Sequence, residues 1–305
     1  MPLAFAAFRL RFPFAPLWRR KAAARAGGAM LDEDLKAGLI AAVRAAARAR
    51  ILPRFRALAE GEVATKSSHS DLVTRADTEA EADITAAVRA LWPEAEVLGE
   101  EAISADKSLR PRMALAEHAV VIDPVDGTWN FAKGLTVFGM LLAVLHRGRP
   151  AWGMLYDPVI DDWIEAGAEG PAEMVTASGT RRVLRTSTET RIGRMTGYLA
   201  LGLYPRSVQA RIAAELPAFS RVSSLRCACH EYRMVAQGHV EFCLSGPSPH
   251  PWDHAAGALA VERAGGVVRF LDGSRYDASR DKGVILAAAS EPLWQDLAGR
   301  FGYLR

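Results

Sequence analysis

The chain's 305 residues, half of them hydrophobic and 24% charged, suit a soluble globular protein of one large domain or two lobes. Its net charge of +3 is concentrated at one end. Residues 1–29 carry Arg9, Arg11, Arg19, Arg20, Lys21 and Arg25 with no acid, and removing those six charges leaves −3 for the remainder, which argues against a nucleic-acid-binding body. Three cysteines, Cys227, Cys229 and Cys243, form no disulfide framework and point to a reducing, cytoplasmic setting.

No apolar run reaches the ~18–20 residues that span a bilayer. The basic segment 1–29 has two readings, a targeting or membrane-surface segment and a disordered extension or start-site artefact; Arg9, Arg11, Pro13 and Pro16 favour the second. From there the patterning predicts a helix capped by Asp32, with the apolar stripe Leu35, Leu39, Ile40, Val43 and Ile51, bent near Pro53. After a turn at Gly61 comes a polar stretch containing Lys66, Asp71, Thr74 and Asp77. A second helix carries Ala80, Ile84, Val88 and Leu91, with Asp77 as a helix-terminal acid and Pro93 as its stop. Glu96-Val97-Leu98 reads as a short strand ending in Gly99-Glu100-Glu101, and residues 102–117 as a mobile polar loop.

The most informative stretch is Ala119 to Gly134. An apolar strand, Ala119-Val120-Val121-Ile122, runs into two carboxylates three apart, Asp123 and Asp126, with Pro124 fixing φ and Gly127 permitting a tight turn. Paired acids at the mouth of a buried strand are costly unless neutralised, and a hard divalent cation does so with oxygen ligands. Gly127-Thr128 would then offer backbone N–H groups to an anion. Taken alone, the pair reads more readily as an ordinary acidic turn, and it is the rest of the chain that shifts the balance.

Hairpin-like strands follow: 137–146, 151–156 and 163–166. Residues 167–179 read as a connector, which places a lobe boundary at 170, dividing an N-terminal α/β lobe (30–170) from a C-terminal one (171–305). Further on come a strand at 183–186, helices at 208–214 and 226–236, and a strand at 240–244. Pro251-Trp252-Asp253 opens a small-residue helix ending at Gly265-Gly266, with Asp253 either a helix cap or a ligand. Cys227-x-Cys229 lacks the second pair of a zinc site and reads as structural thiols.

Glu100, Asp123, Asp126 and Asp253 are thus four acids from three separated segments. GEE at Gly99–Glu101, DPVDGTWNF at Asp123–Phe131 and WDHAAG at Trp252–Gly257, reinforced by SDLVTRAD at Ser70–Asp77 and ERAGG at Glu262–Gly266, resemble the inositol monophosphatase family, within the lithium-sensitive, magnesium-dependent phosphatase superfamily. The resemblance spans nearly all of residues 30–305 and implies an αβαβα layered sandwich and a homodimer. It implies two or three Mg2+ ions held by Glu100, Asp123, the Val125 carbonyl, Asp126 and Asp253, with Glu101 behind them. Gly127 and Thr128 would bind phosphate, Thr128 and Asp71 would activate water with Glu100 in the catalytic set, and Lys66 would stand near the entrance. The implied reaction is hydrolysis of a small phosphomonoester, inositol monophosphate by default. Histidinol phosphate, 3′-phosphoadenosine 5′-phosphate or a sugar bisphosphate are alternatives, and a regulatory protein-interaction role is a reading of another class. Arg226 stands where the family pattern has a small residue, and Ser245 near where it has an acid, so these two positions are expected to set specificity.

Overall fold

The computed structural model describes residues 31–59, 61–65 and 72–305. The segment 1–29 and the expected site residues Lys66 and Asp71 lie outside them. In chain order the elements are α1 (Glu33–Ala46), β1 (Val63–Thr65), β2 (Leu72–Thr74), α2 (Arg75–Leu91), β3 (Glu96–Gly99), α3 (Glu100–Ala105), α4 (Arg112–Leu115), β4 (His118–Asp126) and α5 (Thr128–Ala132). They continue with β5 (Gly139–His146), β6 (Arg149–Asp157), β7 (Asp162–Gly167), β8 (Glu173–Val175), β9 (Arg181–Val183), β10 (Thr196–Leu199), α6 (Arg206–Glu215) and β11 (Arg221–Ser223). The last are α7 (Ala228–Ala236), β12 (Phe242–Leu244), α8 (Pro251–Arg263), β13 (Val267–Phe270), β14 (Ile285–Ala288) and α9 (Glu291–Arg300).

Two sheets organise the molecule. The seven-stranded one runs β3-β4-β5-β6-β7-β8-β9, with β3 parallel to β4 and every later pair antiparallel. The five-stranded one runs β11-β10-β12-β14-β13. Strand β4 is buried on both faces, and its alternation sorts the layers. Val120 and Ile122 meet Leu39, Val43, Ala80 and Ile84 of α1 and α2 in one core. Ala119 and Val121 meet Tyr232 of α7 and Ala255 and Leu259 of α8 in another. On the far side of the second sheet, Leu286 and Ala288 pack with Ile212 of α6 and Trp294 and Leu297 of α9. The order of layers is therefore α1/α2, sheet, α7/α8, sheet, α6/α9, the αβαβα sandwich.

Helix α8 fits between two sheets because its residues are small. A Cβ on Gly257 would sit 2.2 Å from the Tyr232 ring, so only glycine allows this approach of α7 to α8. Elsewhere the structure departs from the sequence pattern. Residues 102–117 hold most of α3 and all of α4 rather than a plain loop, and Met113 is fully buried as their anchor. The first sheet continues through β8 and β9 to Val183, and the change of sheet falls between Val183 and Thr196. Asp32 caps α1 as expected, its carboxylate accepting from the Leu35 N–H at 2.7 Å. The bend near Pro53 is a π turn over Ala47–Ile51 followed by a 3-10 turn over Leu52–Arg54.

Candidate active site

The site is built on the C-terminal end of β4. There the ladder to β5 breaks register between Asp123 and Asp126, and Val125 turns its N–H back onto the Asp123 carboxylate at 3.1 Å. This bulge aims both acids off the end of the strand. Gly127 follows at φ 84°, ψ 35°, a left-handed conformation natural to glycine, and starts α5 at Thr128. Parallel pairing of β3 with β4 sets Gly99 beside Ile122, so Glu100 emerges next to Asp123. Asp253 arrives from the opposite side in the first turn of α8, where the helix dipole favours an acid.

Oxygens of Asp123, Asp126 and Asp253 lie within 4.8 Å of one another. Burial raises the Asp123 carboxyl well above the usual carboxylate range, and the neighbouring charges of Glu100, then Asp126, Asp253 and Asp77, push it further. Burial also lifts Asp126, to about 6, against the hydrogen bonds that hold it. Glu100 falls outside the 4.8 Å trio, yet its charge is the largest neighbour effect on Asp123. Mutually repelling, oxygen-only, largely buried acids are stabilised by a hard divalent cation, so the donor set fits Mg2+.

Two features of the site were missed by the sequence reading. Asp77 does cap α2: its Oδ2 accepts from Thr74 N–H at 2.9 Å and Thr74 Oγ1 at 2.5 Å, completing a capping box. Its other oxygen, however, lies 3.3 Å from Thr128 Oγ1, which also sits 2.9 Å from the Val125 carbonyl. The carboxylate against Thr128 is thus Asp77, fully buried, whereas Asp71 lies outside the described residues. The second feature is the grip on Asp126. Its Oδ2 accepts from the Cys229 backbone N–H at 2.5 Å and from the Cys227 thiol at 3.1 Å. The three cysteines are free and buried, as read, but Cys227 and the start of α7 also orient a site acid.

Arg226 is exposed beside the Gly127 turn, its carbonyl 3.3 Å from where a Cβ on Gly127 would be, and its guanidinium lies 4.4 Å over the Trp129 ring. It adopts φ 54°, the left-handed region that favours glycine. Glu231 holds this turn from below, accepting from Leu225 N–H at 2.7 Å and Ser224 Oγ at 3.1 Å, while burial pushes its carboxyl up to about 7. Ser245 is buried: its hydroxyl donates to the Gly246 carbonyl and accepts from Ile285 N–H, both at 2.8 Å. With its proton and an acceptor position spent on the backbone, Ser245 ties β12 to β14 and has little left for a substrate. Glu101 sits in the first turn of α3, where its N–H and that of Ala102 donate to Glu81.

A layered α/β sandwich with converging buried acids and an adjoining Gly-Thr turn defines a metal-dependent phosphoric monoester hydrolase. A model of the inositol monophosphatase family matches residues 31–300, and the chain belongs to that family. Among curated relatives, the fructose-1,6-bisphosphatase/inositol-1-monophosphatase of Thermotoga maritima is 28% identical over 217 residues, 71% of this chain and 78% of that protein. The Nus factor SuhB of Escherichia coli is 31% identical over 247 residues, 77% of this chain and 86% of its own. The solved structure of a Thermotoga maritima IMPase shares the fold at TM-score 0.73 and 21% identity, covering 89% of this chain and 98% of that one. That of SuhB from Bartonella henselae does so at TM-score 0.71 and 25% identity, covering 88% and 98%. Among the described residues, no helix is long and apolar enough to cross a membrane.

Proposed function

We propose that this chain hydrolyses a small phosphorylated metabolite to its alcohol and inorganic phosphate, with inositol monophosphate the default substrate and a sugar bisphosphate the principal alternative. The observation that carries the reading is the convergence of Asp123, Asp126 and Asp253 beside a threonine whose hydroxyl faces a buried carboxylate. Glu100, Asp123, the Val125 carbonyl, Asp126 and Asp253 would hold two or three Mg2+ ions. When bound, these supply charge neutralisation for the phosphoryl oxygens and the leaving group, and lower the pKa of water.

The remaining chemistry belongs to the chain. Thr128 Oγ1 accepts a proton from the attacking water as its own proton passes to Asp77 Oδ1, 3.3 Å away. The water oxygen bonds to phosphorus, the ester P–O bond breaks, and the departing alkoxide takes a proton from solvent. Backbone N–H groups at Gly127 and Thr128 face the phosphoryl oxygens. Asp77 thereby takes the role that the sequence resemblance gave to Asp71. Arg226 on the rim supplies a positive charge for a second anionic group. The bisphosphatase in the name of the Thermotoga relative favours the bisphosphate alternative. A homodimer remains part of the proposal.

The test is phosphate release from inositol monophosphate, histidinol phosphate, 3′-phosphoadenosine 5′-phosphate and fructose 1,6-bisphosphate, with and without Mg2+. Turnover of at least one substrate that stops on Mg2+ removal is expected; no Mg2+-dependent release from any of them counts against the reading.

A further inference from the structure

Strand β4 carries its acids at one end and a different donor set at the other. His118 opens β4 and His146 closes β5, and the two are direct partners in the antiparallel register. Side chains directly opposite in such a pair share one face, with Cβ atoms about 4.5–5.5 Å apart. Here the imidazoles lie side by side, centroids 5.3 Å apart and planes 18° from parallel. Glu117, one residue ahead of β4, joins them. One donor atom each from Glu117, His118 and His146 falls within 4.8 Å of the other two. The backbone beneath is fixed by the β4–β5 ladder and by the Arg147 N–H donating to the Glu117 carbonyl at 3.0 Å.

We propose that Glu117, His118 and His146 bind a borderline divalent cation such as Zn2+ or Ni2+, clamping the start of β4 to the end of β5. Two imidazoles and a carboxylate suit these ions and not Mg2+, which demands near-octahedral oxygen ligands. Zn–N and Zn–O bonds of about 2.0–2.2 Å put tetrahedral donors roughly 3.4 Å apart. Closing from at most 4.8 Å therefore needs only side-chain rotation, on the order of an ångström, by residues that are partly or fully exposed. The charge competing for Glu117 is Arg147, at 3.7 Å, with both side chains mostly in solvent. Such a solvent-screened, exposed pair is too weak to hold the carboxylate against a metal. Asp123 lies five positions, roughly 17 Å, along the strand from His118, so this centre is independent of the catalytic acids.

Trp92 provides a reporter, its ring centroid 5.0 Å from that of His118. The full chain, stripped with chelator and then saturated with Mg2+ to fill the acidic site, is titrated with Ni2+. Calorimetry should give one equivalent bound, with saturable quenching of tryptophan fluorescence. His146→Asn should weaken binding at least tenfold and Glu117→Gln by a smaller factor. Trp92→Phe should keep the binding and lose most of the quenching. Wild-type melting temperature should rise on Ni2+ addition, and that rise should vanish in His146→Asn. Absence of binding, or an affinity untouched by both His146→Asn and Glu117→Gln, overturns the proposal. Binding abolished by excess Mg2+ does so too, because it assigns the ion to the acids. The exposed position of Glu117 keeps that variant folded and informative if His146→Asn is unstable.

Discussion

Replacing Asp77 by Asn separates two tasks that one carboxylate performs. Oδ2 takes both Thr74 hydrogen bonds of the α2 cap, and Oδ1 faces the Thr128 hydroxyl at 3.3 Å. An asparagine has one acceptor oxygen. If that oxygen stays with Thr74, the amide NH2 faces Thr128 and presents a donor where an acceptor stood. The cap is then largely kept, and its partial loss should cost about 1 kcal/mol of stability. Catalysis should suffer far more. Removing a positioned proton acceptor typically costs about 10²–10⁴-fold in rate, which is about 2.7–5.4 kcal/mol of activation free energy. Phosphate-release kinetics at saturating Mg2+, paired with thermal melts, read the two effects separately. The expected outcome is a small drop in Tm, a Mg2+ requirement still titratable at similar concentrations, and a kcat lower by at least a hundredfold. A folded Asp77→Asn enzyme with kcat within twofold of wild type refutes the assignment. If Asp71→Asn were then inactive, the role read from the sequence resemblance would be restored.

Arg226→Gly should leave Mg2+ dependence intact and lower kcat/KM for a bisphosphate more than for inositol monophosphate; an unchanged ranking of substrates excludes a specificity role. The same change should not lower Tm, since relief of a left-handed residue, about 1–2 kcal/mol, offsets loss of the exposed Trp129 contact, about 0.5–1 kcal/mol. Ser245→Ala should destabilise by about 1–3 kcal/mol through the orphaned Ile285 N–H without reordering substrates, and a changed substrate ranking would return Ser245 to the specificity set. Asp161 receives Arg44 at 2.7 and 2.8 Å, Arg48 at 2.7 Å and the Tyr156 hydroxyl at 2.8 Å, and these hold its carboxyl far below the usual range, Arg44 most of all. A depressed folded-state pKa gives stability that is present above the unfolded value near 3.9 and is lost as pH falls toward the folded one. Asp161→Asn should therefore cost roughly 1–2 kcal/mol at pH 7, discounted for partial exposure, and the gap in Tm should narrow below about pH 4; a gap that does not change between pH 7 and 3 rules this linkage out.

The catalytic strand was readable because its signal is local. An apolar run, two acids three apart and a glycine lie within nine residues, and the register break falls between those two acids. The opening of α8 was readable for the same reason. Asp77 shows where this reasoning ends. Its capping role accounts for an acid at that position locally, and nothing nearby signals that its second oxygen meets a threonine 51 residues away. Cys227 and Cys229 likewise fit a structural reading until α7 is packed onto the end of β4. The elements α3 and α4 escaped because short helices carry little periodicity, and their support comes from Glu81 capping α3 and from burial of Met113. β8 and β9, three residues each, are held by an existing sheet edge more than by their own pattern.

One cluster of carboxylates makes this chain a metal-dependent phosphatase. The decisive measurement is phosphate release from the preferred substrate as Mg2+ is titrated, in wild type and in Asp123→Asn. Asp123 is fully buried, and burial together with the charges of Glu100, Asp126, Asp253 and Asp77 disfavours its ionised form, so the isosteric amide should fold at least as stably as wild type. Wild type should show saturable Mg2+ activation and the variant near-abolished release, with weakened divalent-ion binding by calorimetry. Wild-type activity that is indifferent to Mg2+, or an Asp123→Asn enzyme that is fully active at limiting Mg2+, would rule out this metal centre.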